Sequence, residues 1–370
     1  MSKNEVAYNP VHANSFLHKA ADIFFTTFRL LRRLLPGKRS GTVIISVHKL
    51  GDSIFTLPAL KILLSNKDYQ NPTIITFHEN MVIYRKVFPH ADYLIINRSD
   101  FLFSGRILHP ALWLKFFALP AKHIFDFSGG IHSAGIVFLS PAKIKVGINQ
   151  KLYRGVFDHF VPIRELPHIM DIYLDVVRDY LRVIPPANSK VFPLQVNSIK
   201  KILIAPLGGW KAKEWGINRF INLASILKQN FDIHFVFETG SISDDIKAAL
   251  REESITFSET KDIESLLGCI SEHDLFLSND TGPLYIANYS GRATFAIYGP
   301  TNPEYHLPYG QGHGYAMRKI SCSPINKKFC DEIGGRSCFH FTCMNVLSVS
   351  DVYKQVTEFI GAFNGEKTVA

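Results

Sequence analysis

Two acidic residues stand where the chain turns from an apolar run into a helix. Asp52 ends His48-Lys49-Leu50-Gly51-Asp52, which follows the run 42–47, and Asp280 opens Asp280-Thr281-Gly282-Pro283, which follows 274–279. A carboxylate in such a place can take a proton or hold a sugar hydroxyl. The free amides of the helix beside it, at the positive end of the helix dipole, attract an anion. Each Asp can equally be a simple N-cap. For Asp280, however, Asp-Thr-Gly-Pro and Gly299-Pro300-Thr301-Asn302-Pro303 flank one βαβ unit at matching ends, which capping alone does not require.

A second loop of the same kind runs from Pro206 to Gly216 and holds Gly208, Gly209, Lys211 and Lys213. Glycines between a strand and a helix leave backbone N–H groups free for phosphate, and a lysine adds a point charge. Glu238 closes the apolar run 233–237, the usual place for an acid that accepts from ribose hydroxyls. In the first half, Lys49, His132, Lys151 and Arg154 lie in loops that can meet an anionic co-substrate. A surface role is the plainer reading of His132.

These residues need strands and helices to position them, and the hydropathy supplies both. Short apolar runs alternate with helical stretches, which predicts an α/β fold with buried parallel strands. Helices are expected over 53–64, 218–228, 284–289 and 352–363, with Asp52 in the loop before the first. The stretch 183–190, VIPPANSK, has the composition of a domain boundary. The expected segments are a basic N-terminal stretch 1–40, domains 41–185 and 186–350, and a final helix and tail 351–370.

Length and composition bound the rest. A chain of 370 residues with 46% hydrophobic and 20% charged residues can bury two cores. Of the net +9, residues 1–40 contribute +5, seven Lys/Arg against Glu5 and Asp22. No aromatic-interleaved basic motif accompanies that charge, so nucleic acid is not the expected partner. Residues 16–35 read as an amphipathic helix. Lys19, Asp22, Thr26, Arg29 and Arg33 lie on one face, with Phe16, Ala20, Ile23, Phe24, Phe28, Leu31 and Leu34 on the other. Docking on its own domain and an interfacial membrane helix are both open readings. No apolar run reaches membrane-spanning length, and no signal-peptide cleavage site is apparent. Of five Cys, four (Cys322, Cys330, Cys338, Cys343) crowd near the C-terminus without a C-x-x-C pair. They are taken as structural, with a zinc site as the lesser alternative. No D-x-D pair occurs, so no metal is expected.

The stretch Ser278–Tyr305 resembles glycosyltransferase family 9, the ADP-heptose:lipopolysaccharide heptosyltransferases. That family carries D-[ST]-G-x-x-H-x-A followed by an aromatic-G-P-T-x-P segment, and Tyr285 stands at its His. Leu50-Gly51-Asp52-Ser53-Ile54-Phe55-Thr56-Leu57-Pro58-Ala59-Leu60 is similar to its N-terminal signature, with Asp52 at the proposed catalytic Asp. Lys213-Glu214-Trp215-Gly216 resembles its K-x-W-P phosphate loop with Gly for Pro. His132 stands where the family usually has Arg.

The resemblance implies a GT-B fold, two facing Rossmann-like domains, and an inverting transfer of a sugar from a nucleotide sugar, by default ADP-heptose. The acceptor it implies is a lipid-linked glycan, so the expected location is peripheral, on the cytoplasmic face of the inner membrane through residues 16–35. No cofactor beyond the co-substrate is expected. Asp52 would deprotonate the acceptor hydroxyl. Gly208, Gly209, Lys213, Glu238, Asp280, Thr281, Gly282 and Pro283 would bind the donor. Lys49, His132, Lys151 and Arg154 would face the acceptor, and domain closure would join the two sets. Another nucleotide sugar, or a non-catalytic nucleotide-sugar-binding scaffold, remains an alternative. A dinucleotide oxidoreductase is disfavoured because no G-x-G-x-x-G follows a strand.

Overall fold

The computed structural model describes residues 15–34, 40–102, 107–148, 151–162, 168–184, 191–330 and 338–366. The chain divides into two compact units, one through residue 185 and one from residue 186.

The first unit opens with helix α1 (Ser15–Leu34), then runs β1 (Thr42–Ile45), α2 (Leu50–Ser65), β2 (Thr73–Phe77), α3 (Met81–Val87) and β3 (Asp92–Ile96). A small hairpin of β4 (Phe101–Leu102) and β5 (Ile107–Leu108) leads to α4 (Pro110–Ala118). It closes with β6 (His123–Asp126), α5 (Ile131–Leu139), β7 (Ile144–Ile148), β8 (His159–Val161) and α6 (Ile169–Leu181). Its main sheet has the order β3-β2-β1-β6-β7-β8, with every pairing parallel.

The second unit repeats the plan. It runs β9 (Lys201–Ala205), α7 (Ile217–Leu227), β10 (Asp232–Glu238), α8 (Asp244–Glu252), β11 (Thr256–Thr260) and α9 (Ile263–Ser271). Then come β12 (Leu275–Asn279), α10 (Gly282–Tyr289), β13 (Ala293–Tyr298), α11 (Pro303–His306), β14 (His313–Met317), α12 (Thr342–Asn345) and α13 (Val349–Glu366). The sheet order is β11-β10-β9-β12-β13-β14, again wholly parallel.

Both sheets therefore wind outward from their first strand in one direction and then the other. The reversal lies between β1 and β6 in the first unit and between β9 and β12 in the second. Loops leaving the C-terminal ends of those strand pairs diverge and leave a crevice, where α/β sheets bind ligands. The central strands earn their burial by composition: TVII, HIFD, LFLSN and ATFAIY are buried along their whole length, as a sheet covered on both faces requires. The two cores are separate, Val43, Ile45, Phe116 and Ile124 anchoring one and Ile204, Trp215, Phe220 and Phe295 the other.

One expectation is corrected. Helix α2 begins at Leu50, not Ser53, so Asp52 sits inside its first turn rather than in a preceding loop. Lys49 is the N-cap residue and makes no side-chain cap.

Candidate active site

In the second unit the reversal point brings together the Pro206–Gly216 loop and the turn from β12 into α10. Asn279 ties them: its Oδ1 accepts from the Trp215 N–H at 3.1 Å, and its Nδ2 donates to the Pro206 carbonyl at 2.6 Å. Trp215 is locked in turn by its indole N–H, which donates to the Leu347 carbonyl at 2.8 Å. Gly216 has φ +109°, a conformation proline cannot take. Glycine here, where the resembled loop has proline, therefore belongs to a different backbone path.

Asp280 is the centre of this region. It is 3% exposed, and three side chains donate to its carboxylate. Lys213 Nζ and Thr301 Oγ1 reach Oδ2 at 2.6 and 2.7 Å, and Tyr285 reaches Oδ1 at 2.5 Å. Lys213 also donates to the Asp280 carbonyl at 3.3 Å. Burial alone would push the carboxyl pKa up. The nearby charges of Lys213 and His306, with the Lys213 and Tyr285 hydrogen bonds, outweigh it and hold the pKa well below the usual carboxylate range. Asp280 is therefore ionised, and it is not a helix cap: Thr281 occupies that position.

Lys213 packs its ammonium 4.8 Å from the centre of the Trp210 ring, a cation–π contact. Two of its three N–H bonds serve Asp280, leaving one for a ligand. Gly208 donates to Glu214 Oε1 at 3.3 Å, while Gly209 is exposed and a Cβ there would meet nothing within 4 Å. At the start of α10 the buried Thr281 Oγ1 has no hydrogen-bond partner among the described residues. An orphaned hydroxyl beside free helix amides is the arrangement a bound anion would complete. Pro283 suits the helix start, where its missing N–H costs nothing. Glu238 lies exposed at the end of β10.

In the first unit the loop after β1 is pinned to the loop after β6 by Val47 N–H donating to Ser128 Oγ at 2.8 Å. Asp126 Oδ1 accepts from the N–H groups of Ser128 and Gly129 at 2.8 and 3.2 Å and shapes that second loop. Beneath α2, the Tyr84 hydroxyl lies 2.6 Å from Ser46 Oγ and 2.9 Å from Thr56 Oγ1, which fixes the helix start against the sheet. Asp52 projects from that first turn, partly exposed, with no hydrogen bond to its carboxylate among the described residues. Lys49 is exposed next to it. His132 lies in the first turn of α5 rather than in a loop, and burial lowers its pKa. Arg154 is exposed in the turn 151–156, and the side chain of Lys151 lies outside the described residues.

Thus the structure gathers Gly208, Gly209, Lys213, Asp280, Thr281, Gly282 and Pro283 at one sheet reversal, and Lys49, Asp52 and the His132 helix at the other. Thr301, Asn279 and His306 were not singled out from the sequence. Thr301 had a signal, since it sits in the Gly-Pro-Thr segment already marked. Cys322, Cys330, Cys338 and Cys343 line one small cavity with His340 and Gly299. Among the described residues no group of three or more His, Cys, Asp or Glu is placed to hold a metal.

Lipooligosaccharide heptosyltransferase 2 of Campylobacter jejuni subsp. jejuni serotype O:6 is 28% identical over 174 residues, 44% of this chain and 53% of that protein. Lipopolysaccharide core heptosyltransferase OpsX of Haemophilus influenzae is 28% identical over 206 residues, 50% of this chain and 57% of that one. The chain thus spans about half the length of the curated relatives it matches. The fold is like that of E. coli heptosyltransferase WaaC, solved with ADP-2-deoxy-2-fluoro heptose. The TM-score is 0.64 at 15% identity, over 86% of this chain and 99% of that one. The two parallel sheets are accordingly those of the GT-B fold. The family model of glycosyltransferase family 9 (heptosyltransferase) matches residues 121–333, more than half of the chain and the whole reversal point between β9 and β12. The chain belongs to glycosyltransferase family 9.

Proposed function

We propose that this protein is an inverting glycosyltransferase that moves heptose from ADP-heptose onto a lipopolysaccharide-core acceptor. The observation that carries the reading is the ionised Asp280 node. It fixes Lys213 beside an open glycine loop and beside a helix N-terminus with an unpartnered hydroxyl. The chain's similarity to the heptosyltransferases of Campylobacter jejuni and Haemophilus influenzae, and the ADP-2-deoxy-2-fluoro heptose bound in WaaC, support heptose and ADP as the donor's parts.

In this reading the donor diphosphate lies against the amides of Gly209 and Gly282 and the remaining N–H of Lys213, with Gly208 holding the loop through Glu214. Glu238 accepts from the ribose hydroxyls. The bond from the anomeric carbon to the diphosphate oxygen breaks, and fixed dipoles stabilise the charge that develops on the leaving ADP. The acceptor oxygen forms its bond to that carbon from the opposite face, and its proton passes to Asp52. Lys49 and Arg154 supply cations for acceptor phosphates, and His132 borders the acceptor.

The test is ADP release from ADP-heptose with a truncated lipopolysaccharide acceptor. Wild type should turn over. Asp52→Asn should lose on the order of a hundredfold or more in kcat while ADP still raises the thermal unfolding midpoint. Unchanged turnover in Asp52→Asn would remove Asp52 from the reaction. No release by wild type would overturn the proposed activity.

A further inference from the structure

Helix α1 is held to its own unit by its cations. Arg29 donates to Asp158 Oδ1 at 2.9 Å and to the Phe157 carbonyl. Arg32, 2% exposed, donates to the carbonyls of Leu139 at 3.2 Å and Phe117 at 3.0 Å, with its guanidinium 3.9 Å from the centre of the Phe117 ring. Arg33 reaches the Lys143 carbonyl and Asp158 Oδ1, both at 2.7 Å. Asp22 and Thr26 press on Gly155, where a Cβ would lie 2.5 Å from the Asp22 carbonyl oxygen. Phe25 and Phe28 pack on Phe138 at ring separations of 5.5 and 4.0 Å.

With its arginines turned inward, the helix carries much of its apolar surface on the outside. Ile23, Phe24, Leu30, Leu31 and Leu34 are 69, 60, 51, 55 and 81% exposed. Ile23–Leu30 and Phe24–Leu31 are seven residues apart, and Leu34 follows Leu30 and Leu31 by four and three, so they form one stripe along a 20-residue helix. Phe117 of α4, 41% exposed, adjoins it at Arg32, and Leu114, 75% exposed, precedes Phe117 by one helical turn. This inverts the ordinary arrangement, in which the apolar stripe faces the core. Exposed apolar side chains gathered in one stripe, rather than scattered singly, mark an interaction surface.

We propose that the stripe docks on an anionic lipid bilayer, with α1 lying along the surface and its exposed apolar side chains inserted below the headgroups. No helix among the described residues is long and apolar enough to cross a membrane. Charge selects the occupant. Lys19 is exposed at the rim, and Lys3, Lys38 and Arg39 flank the helix in the sequence against Glu5 alone. Anionic headgroups complement those cations. A second copy related by a two-fold axis would set like charges against one another.

The test is flotation of the full chain with phosphatidylcholine vesicles, with and without phosphatidylglycerol, alongside sedimentation equilibrium without lipid. Wild type should float with the anionic vesicles and remain monomeric in solution. Ile23→Ser/Leu31→Ser, at exposed positions, should keep the wild-type thermal midpoint and bind at least tenfold more weakly. In Phe24→Trp the indole emission should shift to the blue on adding vesicles. Failure to float would overturn the proposal, as would unchanged binding by the double variant or a lipid-free dimer that the double variant dissolves. No sugar nucleotide is present, so these outcomes are independent of the transfer reaction.

Discussion

The Tyr285 hydroxyl donates to Asp280 Oδ1 at 2.5 Å, from the first turns of the helix that Asp280 precedes. Tyr285 stands where the resembled motif has histidine, and it still supplies a donor to the carboxylate. The hydrogen bond favours the ionised acid, while burial and the charge of Asp280 raise the pKa of the phenol well above its ordinary value. Tyr285 is therefore a neutral donor at all working pH.

Tyr285→Phe should leave Oδ1 buried without its donor and cost about 2 kcal/mol of stability, the scale for a hydrogen bond to a charged group. Tyr285→His restores a ring N–H and should cost less. Urea unfolding of the three proteins checks the order, and a Phe variant as stable as wild type would refute it.

Lys213 balances Asp280, and in the proposed reading it also serves the nucleotide. Lys213→Met alone strands a buried carboxylate and should cost about 3 kcal/mol or more. Adding Asp280→Asn removes the charge and should restore much of that stability. ADP should raise the thermal midpoint of wild type but of neither variant. A midpoint shift of wild-type size in the double variant would show that Lys213 does not contact the nucleotide.

The sequence carries the outline of this fold because the central strands are uninterrupted apolar runs closed by glycine or acid, so both reversal-point loops could be placed. The Asp280 node was only half visible. Lys213 and Thr301 lie 67 and 21 residues from it, and no local pattern announces a pairing made by tertiary folding. The start of α2 was placed three residues late because Lys49 is a poor N-cap and Asp52 a good one. Helix α1 shows a further limit. Periodicity sorted its side chains into two faces, but which face turned inward depended on carbonyls and an aspartate more than a hundred residues away.

Lys145 gives a pH-dependent handle on the anchorage of α1. Its side chain is 1% exposed, and its ammonium lies near Asp158 and the arginines of the helix. Burial lowers its pKa to about 7. Asp158 opposes the shift, and Arg32, Arg29 and Arg33 add to it. Between that value and the ordinary 10.5 the unfolded chain binds the proton and the folded chain does not, so stability should rise with pH across this window. Lys145→Met should be more stable than wild type at pH 7 by on the order of a few kcal/mol. The difference should shrink towards pH 10.5. A constant difference across urea titrations at several pH values would contradict the depressed pKa.

Gly216 offers a test of the loop that carries Lys213. At φ +109° an L-residue is strained, and a Cβ there would meet nothing within 4 Å, so any loss belongs to the backbone alone. Gly216→Ala should cost about 1–2 kcal/mol. Gly216→Pro demands φ near −65° and cannot keep this path. It should displace the Trp215 N–H from Asn279 and draw Lys213 away from Asp280. The proline variant should therefore lose more stability than the alanine one in urea unfolding, and should also lose the thermal shift with ADP. If Gly216→Pro instead matched wild type in both measurements, the loop would not depend on the positive φ of Gly216.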